Sequence, residues 1–185
     1  MTNTYTENLR GFQIKFKTKP GIFSPHGIDA GTKLLINQIE VEDKSLVADL
    51  GSGTGIIAFV LARLNPKAHI HLFDDHLRSV ELAKQNANLN NLTNVEIYLS
   101  DLFSAVKDRT YHQIFSNPPQ QLGNDFLEEL VDESYRHLKL AGSLWLVVKN
   151  NLLPAIERTM RNKFQNVKIV SRSREHVVLK GEKNG

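Results

Sequence analysis

Leu46-Val47-Ala48-Asp49-Leu50-Gly51-Ser52-Gly53-Thr54-Gly55 runs from a short apolar strand into a turn with three glycines in five positions. Glycine reaches positive φ without penalty and lets a backbone approach a ligand with no Cβ in the way. The apolar run from Ile56 to Leu64, stopped by Asn65-Pro66, then predicts a buried helix. Its N-terminus offers free N–H groups and a positive dipole end. A strand, a tight glycine turn and a helix in this order predict the first βα unit of an open parallel sheet, with a ligand beyond the strand ends.

The rest of the chain repeats that alternation. Strands are predicted at 46–50, 70–73, 95–99, 113–116, 143–148, 167–170 and 177–179, and helices at 29–38, 56–64, 77–89, 125–138 and 152–164. Asp29 is placed to cap the first helix, and Ala141-Gly142 to break the fourth. Phe12, Ile14 and Phe16 alternate with Gln13, Lys15 and Lys17, and Lys19-Pro20-Gly21 has turn chemistry, so a small hairpin is predicted over 12–24. The fold class is α/β, with a mostly parallel sheet and helices on both faces. A chain of 185 residues without repeats reads as one domain, 1–185, large enough to bury roughly 70% of its unfolded surface.

Several function classes fall away on composition. There is no cysteine, hence neither a disulfide framework nor a thiolate metal site. His69 and His71 share a strand face, but a surface or edge placement is expected rather than a metal site. No apolar run approaches the roughly 20 residues that span a bilayer, and the N-terminus lacks a signal-peptide pattern. A cytoplasmic protein without membrane contact is expected. Net charge is +3 with pI near 9.1. The cations concentrate at Lys15, Lys17 and Lys19, and at Arg158, Arg161, Lys163, Lys168, Arg172 and Arg174, which read as solvated faces or as a nucleic-acid footprint.

The glycine turn is of the kind that wraps an anionic, adenosine-containing cofactor. A phosphate-binding P-loop needs Gly-Lys-Ser/Thr, whereas Gly55-Ile56-Ile57 stands here. A nicotinamide fingerprint would carry its third glycine one position later than Gly55. A tight βα turn with no ligand also fits. Two acids sharpen the reading. Asp74, at the end of the second strand with Asp75 beside it, can accept both ribose hydroxyls. Asp101, followed by Leu102 after the third strand, suits the exocyclic amine of adenine. Asp49 is placed to orient the loop or to receive an ammonium through water. Asn117-Pro118-Pro119, after the fourth strand, is either an ordinary strand-ending turn or a rigid clamp for an amino group. In the clamp, the side-chain oxygen of Asn117 and the Pro118 carbonyl each accept one N–H, and the prolines hold the geometry.

Residues 47–55 resemble the first motif of class I S-adenosylmethionine (AdoMet)-dependent methyltransferases, and Asn117-Pro118-Pro119 the fourth motif of those that act on amino or amide nitrogens. Gly21-Ile22-Phe23-Ser24, with Gly27-Ile28-Asp29-Ala30-Gly31-Thr32-Lys33-Leu34-Leu35, is similar to the entry segment of the small-domain methyltransferases. These include ribosomal RNA guanine-N2 enzymes and compact archaeal homologues; residues 79–92 fit the same group. The resemblance covers about residues 12–180. It implies a Rossmann-like fold with a seven-stranded sheet, its last strand antiparallel, and AdoMet converted to S-adenosylhomocysteine in the cleft. It also implies that the segment with Phe23 and Thr32 closes over the methionine end, and that no metal takes part. The implied activity is N-methylation of RNA, with guanine N2 in rRNA or tRNA foremost. Protein glutamine, DNA adenine and a non-catalytic scaffold are the alternatives. The family usually has a bulky apolar residue after the prolines, where Gln120-Gln121 stands here, so base stacking falls to Phe23 or Phe103. Trp145 is expected in the core.

Overall fold

The computed structural model describes residues 3–18, 27–41, 43, 45–119 and 123–184, the side chain of Asn3 excepted. Its organising element is the helix α2 (Ile56–Leu64), in which every residue from Ile56 to Ala62 is buried. A helix that is apolar all round needs cover on both sides. The sheet supplies one side. The other comes from a hairpin of β1 (Asn3–Leu9) and β2 (Phe12–Thr18), whose Ile14 and Phe16 join Phe59 in one core cluster.

The sheet itself contains β3 (Leu46–Leu50), β4 (His69–Asp74), β5 (Val95–Leu99), β6 (Tyr111–Ser116), β7 (Leu138–Lys149), β8 (Asn166–Arg172) and β9 (His176–Glu182). Their spatial order is β5-β4-β3-β6-β7-β9-β8, with only β9, the last in the chain, antiparallel to its neighbours. Besides α2, the helices are α1 (Ala30–Ile36), α3 (Leu77–Leu89), α4 (Gly123–His137) and α5 (Leu153–Arg161). Side chains alternate between the two faces of the sheet. Trp145 and Val147 therefore join the α2 side, while Leu144, Leu146 and Val148 join the core that also takes residues of α4 and α5. Trp145 stacks on Phe115, as a core residue.

The hairpin differs from its expected place. Residues 12–18 form its second strand and pair with the residues before them, through a turn at Arg10 (φ 53°) and Gly11 (φ 86°). Two successive positive φ values match the twist of a two-residue hairpin. Lys19-Pro20-Gly21 lies outside the described residues. The Ala141-Gly142 pair also has another role. Helix α4 ends at His137 and β7 begins at once, while Ala141 (φ 61°) lies where the pairing of β7 with β6 shifts register. A Cβ at Gly142 would come within 2.9 Å of the His112 and Lys139 carbonyls. His71, expected at a surface or edge, is buried and hydrogen-bonds Tyr111 Oη at 3.0 Å, because β5 takes the edge beside β4 and the rings of Phe73, Tyr98 and Tyr111 pack around the imidazole. Burial holds its pKa below the ordinary value.

The outer edge of β2 is not left open. Asn90 Oδ1 accepts the Lys15 N–H (2.9 Å) and its Nδ2 donates to the Lys15 carbonyl (2.5 Å), as a neighbouring strand would. One helical turn earlier, Asn86 does the same for Lys17. Lys15 and Lys17 consequently face outward while Ile14, Phe16 and Thr18 face in. Removing the bonds to Lys15 by Asn90→Ala is expected to lower the unfolding free energy by about 1–3 kcal/mol in urea titrations. An unchanged midpoint would show that the side chain does not hold the hairpin.

Candidate active site

The strand order reverses between β3 and β6, which are neighbours, with Leu50 in register with Ser116. A cleft of about 430 Å³ opens there, at the position where open α/β sheets bind ligands. Ser116 Oγ donates to the Leu50 carbonyl at 2.9 Å and ties the two strand ends together.

The turn after β3 forms one wall, with Gly51 (φ 66°), Ser52, Gly53 (φ 54°) and Thr54 lining the cleft. The Ser52 N–H donates to the Phe73 carbonyl (3.0 Å), and the Gly53 N–H to Asp74 Oδ2 (2.8 Å). A Cβ at Gly51 or Gly53 would meet nothing within 4 Å, so the space above the turn is open to a ligand. Gly55 (φ 89°) lies behind the wall, where a Cβ would stand 2.4 Å from the Phe59 ring. Asp74 also accepts the His76 N–H through Oδ1 (3.0 Å). An ionised carboxylate has about four acceptor sites, so Asp74 retains capacity for ligand hydroxyls. Asp75 and Asp101 are exposed on the same cleft, with Leu102 (φ 43°) beside Asp101. Ser100 Oγ fixes that bend by donating to the Leu102 carbonyl (2.8 Å) and accepting the Ala105 N–H (3.1 Å).

The opposite wall carries Asn117. Its Nδ2 donates to Asp29 Oδ1 (3.1 Å) and to Thr32 Oγ1 (2.9 Å). Asp29 Oδ1 simultaneously caps α1 by accepting the Thr32 N–H (3.0 Å). A carboxylate only accepts, so the amide nitrogen must face Asp29, and the amide oxygen is the end available to the cleft. Pro119 lines the cleft beside it, and Pro118 is buried behind.

Thr32, the residues 51–54, Asp74, Asp75, Asp101, Leu102, Asn117 and Pro119 are thus brought together. Asp49 is not on the wall. It lies fully buried under the turn, its Oδ2 accepting the Ala58 N–H (3.2 Å) at the start of α2, so that it ties the strand end to the helix behind the wall. Phe23 and Gln120-Gln121 lie outside the described residues. Phe103 cannot stack on a base: it is 1% exposed, with its ring against His137 at 4.2 Å and Tyr111 at 5.4 Å. Phe126, at the start of α4, lines the cleft instead. Asn86 is a further residue that sequence reasoning missed, since its Nδ2 reaches the Thr54 carbonyl (3.1 Å) while holding the hairpin. The signal was an Asn inside a helix, where Asn is a poor choice on propensity alone, one turn before the Asn90 that ends it.

The cleft is acidic. Among the described residues its lining includes Asp29, Asp74, Asp75 and Asp101 and no lysine or arginine. Among these residues a pyrophosphate would find four carboxylates and, for counter-charge, the N-terminus of α2, so the anionic cofactor expected from the turn alone fits poorly. A ligand with a cationic centre, ribose hydroxyls and an exocyclic amine fits the acceptors present.

The methyltransferase small-domain family model matches residues 13–180. The Bacillus subtilis uncharacterized protein YbxB is 34% identical over 183 residues, covering 97% of this chain and 91% of that protein. The small-subunit rRNA methyltransferase C of Haemophilus influenzae is 34% identical over 171 residues, covering 90% of this chain and 49% of the relative. The chain therefore spans about half the length of that rRNA enzyme. Among solved structures, the T. thermophilus 16S rRNA N2 G1207 methyltransferase (RsmC), in complex with AdoMet and guanosine, superposes with a TM-score of 0.87 at 25% identity over 99% of this chain and 51% of its own. These relatives are bacterial, which does not support the likeness to compact archaeal homologues.

Burial pushes the Asp49 carboxyl up to about 8, with the Ala58 N–H opposing and the Asp74 charge adding to the rise. The folded chain then holds a proton that the unfolded chain has released, so this group's stabilisation is present below about pH 4 and lost toward pH 8. Asp49→Asn should flatten the fall in unfolding free energy across that window in denaturant titrations. An unchanged slope would remove Asp49 as its source.

Proposed function

The chain belongs to the methyltransferase small-domain family, as an AdoMet-dependent methyltransferase, and from that premise we propose that it methylates an exocyclic amino nitrogen of RNA, with guanine N2 as the target. The observation that carries this reading is the Asn117 amide, fixed on the cleft wall beside the Gly51 turn with its nitrogen spent on Asp29 and Thr32.

The residues fit the cofactor. The open backbone at Gly51 and Gly53 leaves room for its methionine portion, Asp74 retains acceptor sites for ribose hydroxyls, and Asp101, exposed on the same cleft, offers an acceptor for the adenine amine. Thr32, on the opposite wall, would border the methionine end. AdoMet supplies an electrophilic methyl group for in-line displacement.

The chain's own task is to prepare the nucleophile. The lone pair of a base's exocyclic amine is delocalised into the ring. Asn117 Oδ1 and the Pro118 carbonyl would each accept one N–H, turning the lone pair out of the ring plane toward the methyl group. Proline fixes φ, so the Pro118 carbonyl keeps its direction. Such positioning supplies up to roughly 7–11 kcal/mol in favourable intramolecular cases. No general base is needed, because the proton leaves the cationic nitrogen after transfer. Phe126 and Pro119 offer apolar surface for the base, and base–aromatic stacking is worth about 1–3 kcal/mol. The named rRNA relatives support RNA over a glutamine side chain or DNA adenine. The complete glycine wall and clamp argue against a scaffold without catalysis.

Labelled AdoMet with total RNA from a strain lacking the protein, followed by nucleoside mass spectrometry, should yield N2-methylguanosine. Asn117→Ala should keep AdoMet affinity within a few-fold while product formation falls by more than about tenfold. Equal loss of both, or label only in protein or DNA, would contradict the reading.

A further inference from the structure

The six cations near the C-terminus do not form one surface. Helix α5 crosses from the carboxyl end of β7 to the amino end of β8, so Arg161 and Lys163 stand at the end of the sheet away from the cleft. Both are neutralised there, Arg161 by Glu157 (2.7 Å) and Lys163 by Asp132 (3.2 Å). Strand β8 then runs parallel to β7 and delivers Arg172 and Arg174 to the cleft end, both exposed. Among the described residues neither belongs to an ion pair, and exposed Lys149 ends the neighbouring β7.

The β8–β9 turn is held rigidly. Asn150 Nδ2 donates to the carbonyls of Ser173 (3.1 Å) and Arg174 (2.9 Å), and its Oδ1 accepts Arg172 Nε–H (3.0 Å). One guanidinium edge is thereby oriented while its planar fork still has four other donors. The turn also rides on the helix that holds the clamp. The His176 ring packs against Gly31, where a Cβ would lie 3.0 Å from Cδ2, and Gly31 precedes the Thr32 that binds Asn117. Across the cleft, α4 exposes Asp125, Glu128 and Glu129 beyond Phe126, a wall that repels a polyanion. Glu175 in the turn offsets one charge of the basic side, leaving it net positive.

We propose that the β8–β9 turn, through Arg172 and Arg174 with Lys149 beside them, is the rim on which the phosphate backbone of the substrate RNA docks as its target base enters the cleft. This rests on the RNA reading above. The strand would enter over α1 and the basic turn, away from α4. Two lost phosphate contacts make the log–log salt dependence of binding shallower by about 1.4–1.8.

The test is fluorescence titration of a labelled RNA hairpin bearing an unpaired guanosine, at a series of salt concentrations. R172Q/R174Q is compared with wild type and with R161Q/K163Q, and thermal melts and AdoMet calorimetry check that each variant is folded. The proposal predicts a shallower slope for R172Q/R174Q alone, with R161Q/K163Q following wild type. A steep wild-type slope that R172Q/R174Q leaves unchanged, or that R161Q/K163Q reduces equally, overturns the rim but not the RNA reading. Salt-insensitive binding by wild type overturns both, and points to a protein substrate.

Discussion

One carboxylate oxygen, Asp29 Oδ1, orders the acceptor side of this molecule. It caps α1 through the Thr32 N–H and receives the Asn117 amide, so a helix start and a strand end share one acceptor. A hydrogen bond to a charged group is worth roughly 1.5–3 kcal/mol. The reversed amide would set its oxygen against the carboxylate, and the Asp29–Thr32 pair therefore decides which end of Asn117 meets the cleft. A clamp that must accept N–H bonds has to be presented oxygen first, and the fold does this before any substrate arrives.

The cofactor side depends on comparable economy. Asp74 holds the glycine turn by its own backbone partner and still borders the cleft. Asn86 binds the hairpin edge at Lys17 and the turn carbonyl at Thr54 with the same side chain. The hairpin that covers the apolar outer face of α2 is in this way joined mechanically to the cofactor wall. Ser116 closes the circuit between the two walls through Leu50. The acidic lining then selects among ligands that a glycine turn alone would admit.

Much of this was legible in the sequence because the central elements are strongly patterned. The strand Leu46–Leu50, the helix Ile56–Leu64 and the helix Leu77–Leu89 appear at their expected bounds. Weakly patterned segments were harder. In β1 the apolar signal is only Tyr5 and Leu9 among polar residues, so the sequence pattern marks the second strand of the hairpin and hides its partner. Ala141-Gly142 looks like a helix stop because glycine ends helices, yet tight packing against the His112 carbonyl gives it a bulge instead. Phe103 and Phe126 are equivalent by composition. Which one faces the cleft is decided by tertiary partners, His137 in one case and the cleft mouth in the other, and no local pattern encodes that. That no described residue of the lining is a lysine or arginine likewise becomes visible only when distant strand ends are assembled.

The most direct measurement is a structure of the protein crystallised with S-adenosylhomocysteine and guanosine. The account predicts the guanine amine within hydrogen-bond distance of Asn117 Oδ1 and the Pro118 carbonyl, with the amide nitrogen still on Asp29 and Thr32. A base bound elsewhere, or an Asn117 amide reversed to donate into the cleft, would contradict it.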